Sequence, residues 1–579
     1  MNFNRYYQDE IAYIRELGAE FAKRNPDLAP YLSTESKDPD VERLIESFAF
    51  LTGRLREQID DGLPEFVHAL LAVLWPQALQ PIPCTTTIQF DPVKGSITGT
   101  EIIPRGVQVL SKVVEGVRCS FRTTSDLRLH PYAVNMAEIE EVAGLGILRI
   151  KITPVGEVSP EEVDFGPLRF FLNFHNDIIA GAELRLLLRH NVRAVRIIRR
   201  DGGSIALPGA RFAPGGFTRG DALLQTTETS FDSLRILQEF LSVPEKFSFL
   251  DLEGLPPAVG YAGDEFTIAV EFDQPFKTLT RLNAGQLRLN CVSAINLFEA
   301  DAEPITISRN LTEYRLSTTD QRHIDIFEIL RVAGWTRGHA ERISYDRFEA
   351  FHRRPRSGNP SYYVRLKPSV TRRQYDHYIA FGEVEGVMAT GKADLALARL
   401  TCCNGSLPEL LGLGEIADPG QNAPLSAKPR NVSPVTGYVV PPLNAMGLWS
   451  IVSIMARNYY PIAHVEGLRN LLVHLNFRAF IDRQAGRRQE LMTQGLQSVS
   501  TEPCDMVIRG HPVRGRHITL TINEDDLEGL GRAYLFGEVM DRFLGLFANL
   551  NTCHRFSLHC SRSNTIFDWP MRMGTVSPL

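Results

Sequence analysis

Residues 38–76 read DPDVERLIESFAFLTGRLREQIDDGLPEFVHALLAVLWP, and their periodicity decides how the chain begins. Asp38 is a good helix N-cap and Pro39 suits the first helical position. Val41, Leu44, Ile45, Phe48, Leu51, Leu55 and Ile59 then recur at helical spacing for about six turns. Gly62 is a stop signal, and Pro64 opens a second helix with Val67, Leu70, Leu71 and Leu74 inward, ended by Pro76. Upstream, Tyr7, Ile11, Ile14, Leu17 and Phe21 follow 4-3-3-4 spacing over about residues 4–23, flanked by Asp9, Glu10, Arg15, Glu16 and Glu20. Phe48 and Phe50 lie about 200° apart on a helix, so both sides of it need cover. Three short helices struggle to bury that much apolar surface among themselves. A purely internal core is the plain alternative. The sharper expectation is a partner helix packed on Tyr7, Ile11, Ile14, Leu17, Phe21, Leu44, Phe48, Leu51 and Leu55. Trp75 and Pro76 would then fix the angle at which this arm leaves the body.

Charge singles out the same region. Residues 1–83 carry 8 Lys+Arg against 14 Asp+Glu, which accounts for the whole formal net charge of −6. A neutral body with one acidic arm is not the footprint of a nucleic-acid binder. It suits docking on a basic or apolar protein surface.

From Thr85 the period changes from 3.6 to 2. Val117, Cys119 and Phe121 alternate with charged and polar residues, as do Leu148, Ile150 and Ile152, Leu168–Phe174, Leu184–Leu188, Phe266–Phe272 and Leu287–Cys291. Gly- and Pro-containing turns separate these runs, so the middle reads as β-rich. A helix is expected near Ser233–Leu241. Residues 402–443, ending SPVTGYVVPPL, read as a long connection laid over another surface. Beyond it, helices near Leu448–Asn458, Val465–Phe477 and Ala533–Leu550 and strands near His517–Ile522 and Arg555–His559 make an α+β domain. The expected fold is therefore α+β and multidomain, with a helical arm (1–84), a β-rich domain (85–275), a second β-rich or mixed domain (276–400), an extended Pro-containing connection (401–445) and an α+β C-terminal domain (446–579). No apolar run reaches the ~18–20 residues of a spanning helix, and the N-terminus has no signal-peptide pattern. A cytoplasmic location without membrane insertion is expected.

Catalytic signatures are missing: there is no GxxxxGK[ST], GxGxxG, HExxH or GxSxG. The eight cysteines are scattered without a CxxC and read as buried free thiols. Cys553-His554 and His559-Cys560 resemble a metal set, but strand alternation places His554 and Cys560 on one face and Cys553 and His559 on the other, so no metal or other cofactor is expected. Glu524-Asp525-Asp526 reads as a solvated turn with helix-dipole partners rather than a catalytic cluster. The basic run RLLLRHNVRAVRIIRR, carrying Arg185, Arg189, Arg193, Arg196, Arg199 and Arg200, leaves three readings open: a solvated strand face, a protein contact, or phosphate binding without interleaved aromatics.

Several segments together resemble one family. They are Tyr7-x₂-Glu10-Ile11-x-Tyr13-Ile14-Arg15-Glu16-Leu17-Gly18-x-Glu20-Phe21-Ala22, DPDVERLIESFAFLTGRLREQIDDGLPEF, LLAVLWPQALQPIPC, SLRILQEFLSVPEKFSFLDLEGL (233–255), LNCVSAINLF (289–298), EYRL (313–316) and YLFGEVMDRFLGLFANLN (534–551). In number and order they are similar to the TssF family (also called VasA or ImpG) of type VI secretion baseplate subunits. This chain has Cys402-Cys403-Asn404 where that family has Cys-Thr-Asn. The resemblance implies a non-enzymatic wedge component like those of contractile phage baseplates, two copies joining one TssG and recruiting TssK and TssE around the spike hub, in a membrane-docked cytoplasmic assembly that templates and triggers the contractile sheath. It also implies that the N-terminal helices enter a core bundle with TssG and that other domains touch a second TssF copy. Two other readings stand beside it: a wedge protein of a phage or tailocin-like tail, and a carbohydrate- or peptidoglycan-acting enzyme.

Overall fold

The computed structural model describes residues 7–8, 10–17, 39–60, 64–142, 144–224, 232–277, 279, 281–308, 311–318, 323–336, 342–348, 360–369, 375–382, 394–442, 448–449, 451–452, 464–508, 511–547 and 552–574. The chain divides into two compact units, one of residues 1–72 and 442–456, the other of 73–441 and 457–579.

The smaller unit is helical among its described residues. Residues 10–17 are helical, and α1 (Pro39–Asp60) and α2 (Pro64–Leu74) start at their prolines, as the sequence predicts. Proline has no N–H to lose at the first helical position and its fixed φ favours the turn. Ile11, Ala49, Val67 and Leu71 are buried, and so are Leu448, Ile451 and Val452 from the returning segment. At the end of α2, Trp75 is fully buried and Pro76 begins a 3₁₀ turn, Pro76–Leu79. Gly62 and the helix ends around residues 4–6, 18–23 and 453–458 lie outside the described residues.

The larger unit is built mostly of antiparallel sheets. Thr85–Pro92 sits in a six-stranded sheet between Cys291–Ile295 and Ala427–Asn431, with Val117–Thr123, Gln108–Val114 and Ile416–Pro419 completing it. The register pairs Thr85 with Ile295 and Phe90 with Pro429. This corrects the reading of 401–445 as an extended connection, because that segment supplies both edge strands of the sheet. Proline cannot donate to a ladder and is tolerated at sheet edges, which is where Pro419 and Pro429 lie. The sheet also crosses the expected boundaries at 275 and 400.

A second sheet of five strands has the order Ser204–Ala206, Val192–Arg199, Phe266–Phe272, Leu145–Pro154, Tyr132–Val142. A third runs Arg211–Pro214, Phe249–Glu253, Leu168–Leu172, Leu287–Arg288. The second and third sheets share one core with Leu148, Ile150, Phe170, Leu184, Ile268 and Val270 inside. Leu184–Leu188, expected as a strand, belongs instead to helix α3 (Ile178–His190), capped by the Asp177 side chain, which accepts from Ala180 N at 3.0 Å. An unbroken apolar run has the same appearance in a buried helix and a buried strand. Here the residues on nearly every side of the helix are buried.

The described strands between residues 298 and 403 form a separate sheet around Leu395–Cys403 and Asp325–Trp335, with its own core of Ile329, Val332, Ile379 and Leu400. The C-terminal sheet has the order Leu496–Ile508, His511–Ile522, Cys553–Cys560, Thr565–Asp568. Its two central strands are parallel, so the chain crosses between them through a helix, Leu530–Phe547 (α7). That helix packs on α3, on α4 (Asp232–Ser242) and on the strand Cys553–Cys560. Two further helices, α5 (Val465–Leu475) and α6 (Arg483–Gly495), complete this region. The helix α6 and the strand after it were not expected from the sequence. The architecture is mixed α+β, as predicted.

Candidate partner-binding site

The nine residues expected on the arm's partner face do not share one environment. Ile11 is buried, while Tyr7 and Ile14 are half-buried. Leu17 is exposed, Phe21 lies outside the described residues, and the Leu55 side chain does too. On α1, Leu44, Phe48 and Leu51 are 70%, 63% and 59% exposed. They stand at i, i+4 and i+7, so they form one stripe on the helix surface.

The sequence reading merged this stripe with its neighbour. Ile45, Ala49, Thr52 and Gly53 turn inward, with Ala49 and Gly53 buried. Their directions lie about 120° around the helix from the open stripe. Two small residues four apart let another backbone come close, so the narrow Ala49/Gly53 face serves the unit's own packing. That frees the bulky face. The Ala-x₃-Gly spacing was the available signal, and it was missed because small residues add little to an apolar count. Arg15 and Glu42 tie residues 10–17 to α1 through a 2.5 Å ion pair. Asp40 and Arg43 form an exposed i,i+3 pair at 4.0 Å.

The other candidate sites resolve into internal structure. Arg185 is buried and donates to Glu538 Oε2 through Nη2 at 2.7 Å and through Nε at 3.1 Å, while Arg189 Nε donates to Glu538 Oε1 at 2.7 Å. Burial alone would discourage ionisation of Glu538, but the two guanidiniums outweigh it and hold its pKa below the usual carboxylate value. Of the remaining arginines in that run, Arg196, Arg199 and Arg200 pair with Glu271, Asp201 and Asp264 at 3.4–3.5 Å on the surface. The run is therefore part core clamp and part solvated strand. Glu524 is buried at the start of a 3₁₀ turn, Glu524–Leu527, and accepts from the backbone N–H groups of Arg562 and Ser563. Asp525 pairs with Arg562, and Asp526 accepts from Asn523. In the strand Cys553–Cys560, His554 and Cys560 share a buried face with Phe556 and Leu558, so the Cys/His set is split as the alternation predicts.

The segments that carry the family resemblance supply further buried polar joints. Asn290, at φ 57°, accepts from His130 N and donates to the His130 and Tyr132 carbonyls. Asn296 and Asn404 bond each other at 2.7 and 2.9 Å. Glu239 joins Arg235 at 2.8 Å and also Lys246, all three buried. Asp541 takes Arg572 Nε at 2.9 Å.

The family model described as "Type VI secretion system, TssF" matches residues 1–576. The chain belongs to the TssF family. It is 28% identical over 626 aligned residues, 98% of each chain, to type VI secretion system component TssF1 of Pseudomonas aeruginosa (strain PAO1). It is similar to a chain in the cryo-electron microscopy structure of the TssK-TssF-TssG baseplate subcomplex, with TM-score 0.77, 26% identity, and 93% and 100% of the two chains covered. It is also similar to a chain of the type VI secretion baseplate complex, with TM-score 0.68, 25% identity and full coverage of both. This TssF-family chain is thus a baseplate component of a type VI secretion system. Among its described residues no helix is long and apolar enough to cross a membrane.

Proposed function

We propose that this chain is a non-catalytic wedge subunit whose helical arm (1–84) enters a bundle with TssG, using Leu44, Phe48 and Leu51 as the buried seam and Leu17 beside them. The single observation that carries this is the open i, i+4, i+7 stripe on a helix whose other face is already packed. The similar chain in the TssK-TssF-TssG subcomplex supports TssG as the occupant. Tyr7, Ile11 and Ile14 then act from behind, holding the arm's own fold. Through TssG the unit recruits TssK and TssE and, with a second copy of this chain, surrounds the spike hub in a cytoplasmic assembly docked at the membrane. Its work is to hold the platform on which the sheath is built and to release it on firing. The β-rich and C-terminal parts serve as the rigid body that carries the arm.

The experiment is co-expression of the full chain with the neighbouring TssG and TssK, followed by mass measurement of the purified complex. The expected result is a complex with two copies of this chain for each TssG. A chain that purifies alone beside a separately soluble TssG–TssK complex would overturn the proposal.

A further inference from the structure

In the C-terminal sheet, two cysteines flank a glycine. Cys504 on Leu496–Ile508 stands directly opposite Gly515 on His511–Ile522, and Gly515 in turn pairs with Cys553 on Cys553–Cys560. Directly opposed residues in an antiparallel pair point to the same face. A Cβ on Gly515 would fall onto the Cys553 carbonyl oxygen and Sγ. The Cys553 thiol therefore occupies the space where the residue-515 side chain would be, on the face from which Cys504 approaches. The Cys553 thiol is among the neighbours that raise the Cys504 pKa, and Cys553 Sγ itself donates to the Val513 carbonyl at 3.4 Å.

Strands two apart in a flat sheet are roughly 9.5 Å from each other, too far for a disulfide, whose Cα atoms need about 4.4–6.8 Å. This sheet is not flat at that point. Cys553 rides over Gly515 rather than beside it, with its carbonyl oxygen and Sγ where a Cβ would stand, and the two outer strands come within 8 Å of each other, Cα to Cα, at points along their length. Cys504 is also the one cysteine of the eight that is not buried, so a small oxidant reaches it first and Cys553 waits behind it.

We propose that Cys504 and Cys553 form a reversible modification site, a dithiol that a peroxide closes into a disulfide across Gly515. In the first step the Cys504 thiolate attacks the peroxide. An S–O bond forms, the O–O bond breaks, and the leaving hydroxide takes a proton to become water, so Cys504 is a sulfenic acid. In the second step the Cys553 sulfur attacks that sulfur. The S–S bond forms, the S–O bond breaks, and hydroxide leaves as water with the Cys553 proton. Two electrons pass from the two thiols to the peroxide. A small thiol of the glutathione class reverses the change by exchange, and is itself oxidised to its disulfide.

The bridge stands at the root of a projecting ribbon. Strand Cys553–Cys560 supports His511–Ile522 only from Gly515 onward, so residues 505–508 and 511–514 extend as two paired strands without a third among the described residues. A Cys504–Cys553 bond fixes that root to the C-terminal strand. Burial and the neighbouring thiol raise the Cys504 pKa, so closure quickens toward alkaline pH.

The test is brief treatment of the purified full chain with hydrogen peroxide at mildly alkaline pH, followed by intact mass and peptide mapping without reduction. The expected result is loss of two hydrogens, a linked Cys504–Cys553 peptide that glutathione releases, and no linked peptide in C504S or C553S. Linking should be at least ~100-fold faster in the folded chain than in urea, because held groups react intramolecularly. Recovery of Cys504 as a stable sulfenic or sulfinic acid with Cys553 still free would overturn the proposal. So would linkage of either cysteine to others at equal yield. Reduced C504S should keep the circular dichroism and melting temperature of the parent, which separates loss of the bridge from loss of the fold.

Discussion

Replacing Leu44, Phe48 and Leu51 together by alanine separates a partner seam from a core. Fully burying a Leu or Phe side chain contributes about 1.5–3 kcal/mol. Between 59% and 70% of each of these side chains is still exposed, so a partner that covers them adds about 1–2 kcal/mol apiece. The three together give about 3–6 kcal/mol, a weakening of roughly 10²–10⁴-fold on truncation. The same substitutions remove little that the free chain uses, and exposed changes of this kind stay within about 0.5 kcal/mol. Leu71, fully buried on α2, is the contrast: Leu71→Ala should lower stability by about 2–5 kcal/mol. The assay is a binding titration of each purified variant against the TssG–TssK subcomplex, alongside a thermal melt of the same sample. The seam predicts a large loss of affinity at an unchanged melting temperature. Unchanged affinity for the triple variant would refute the reasoning, and so would a drop in melting temperature as large as that of Leu71→Ala.

Three further outcomes are expected. Glu538→Gln leaves Arg185 and Arg189 facing an uncharged partner in the core, and loss of one member of a buried pair costs about 3–5 kcal/mol; denaturant unfolding of the full chain checks it. The Glu538 pKa is depressed in the folded chain, so its stabilisation is fully present above the ordinary carboxylate range and is lost as pH falls through the folded value. His130 works at higher pH: burial lowers its pKa to about 4, against about 6.5 unfolded. The unfolded chain therefore binds the proton first, and stability falls by about 3 kcal/mol as pH drops from about 6.5 to 4. His130→Gln should flatten that part of the pH–stability curve, and an unaltered slope would remove His130 as its source. Raising salt should slow association with the TssG–TssK subcomplex far more than it speeds dissociation, since surface charge steers encounter and is screened within about 10 Å at 0.1 M; stopped-flow mixing distinguishes the two.

The arm helices were legible because their boundaries are set by local chemistry. Pro39 and Pro64 each favour a helix start, and the apolar spacing between them admits no other period. What the spacing could not tell was which half of a wide apolar face the unit keeps for itself. That choice rests on Ala49 and Gly53, residues too small to register as apolar. The 401–445 segment was misread for a related reason. A strand is recognised by alternation, but Ile416–Pro419 and Ala427–Asn431 are short and carry prolines, and only the distant partners Gln108–Val114 and Thr85–Pro92 make them strands. Arg185 was hidden by distance alone. Its partner Glu538 lies 353 residues away, and no local pattern marks an arginine as destined for the core.

The same charge chemistry thus serves two ends, according to whether water is present. In the body, Glu538 with Arg185 and Arg189, Glu239 with Arg235 and Lys246, and Arg169 with Asp221 and Asp251 are closed clusters of buried or half-buried groups. Such clusters add little net stability over apolar packing, but each tolerates only one arrangement, because a displaced partner strands a charge out of water. They specify how α3, α4, α7 and the sheets meet. On the arm, Asp40 and Arg43 are exposed at 4.0 Å, and a pair of that kind contributes about 0–1 kcal/mol. That pair is too well solvated to hold a partner, whereas Leu44, Phe48 and Leu51 have apolar surface still to lose. On the proposed seam, charge would set approach and register, and apolar burial would set how long the partner stays.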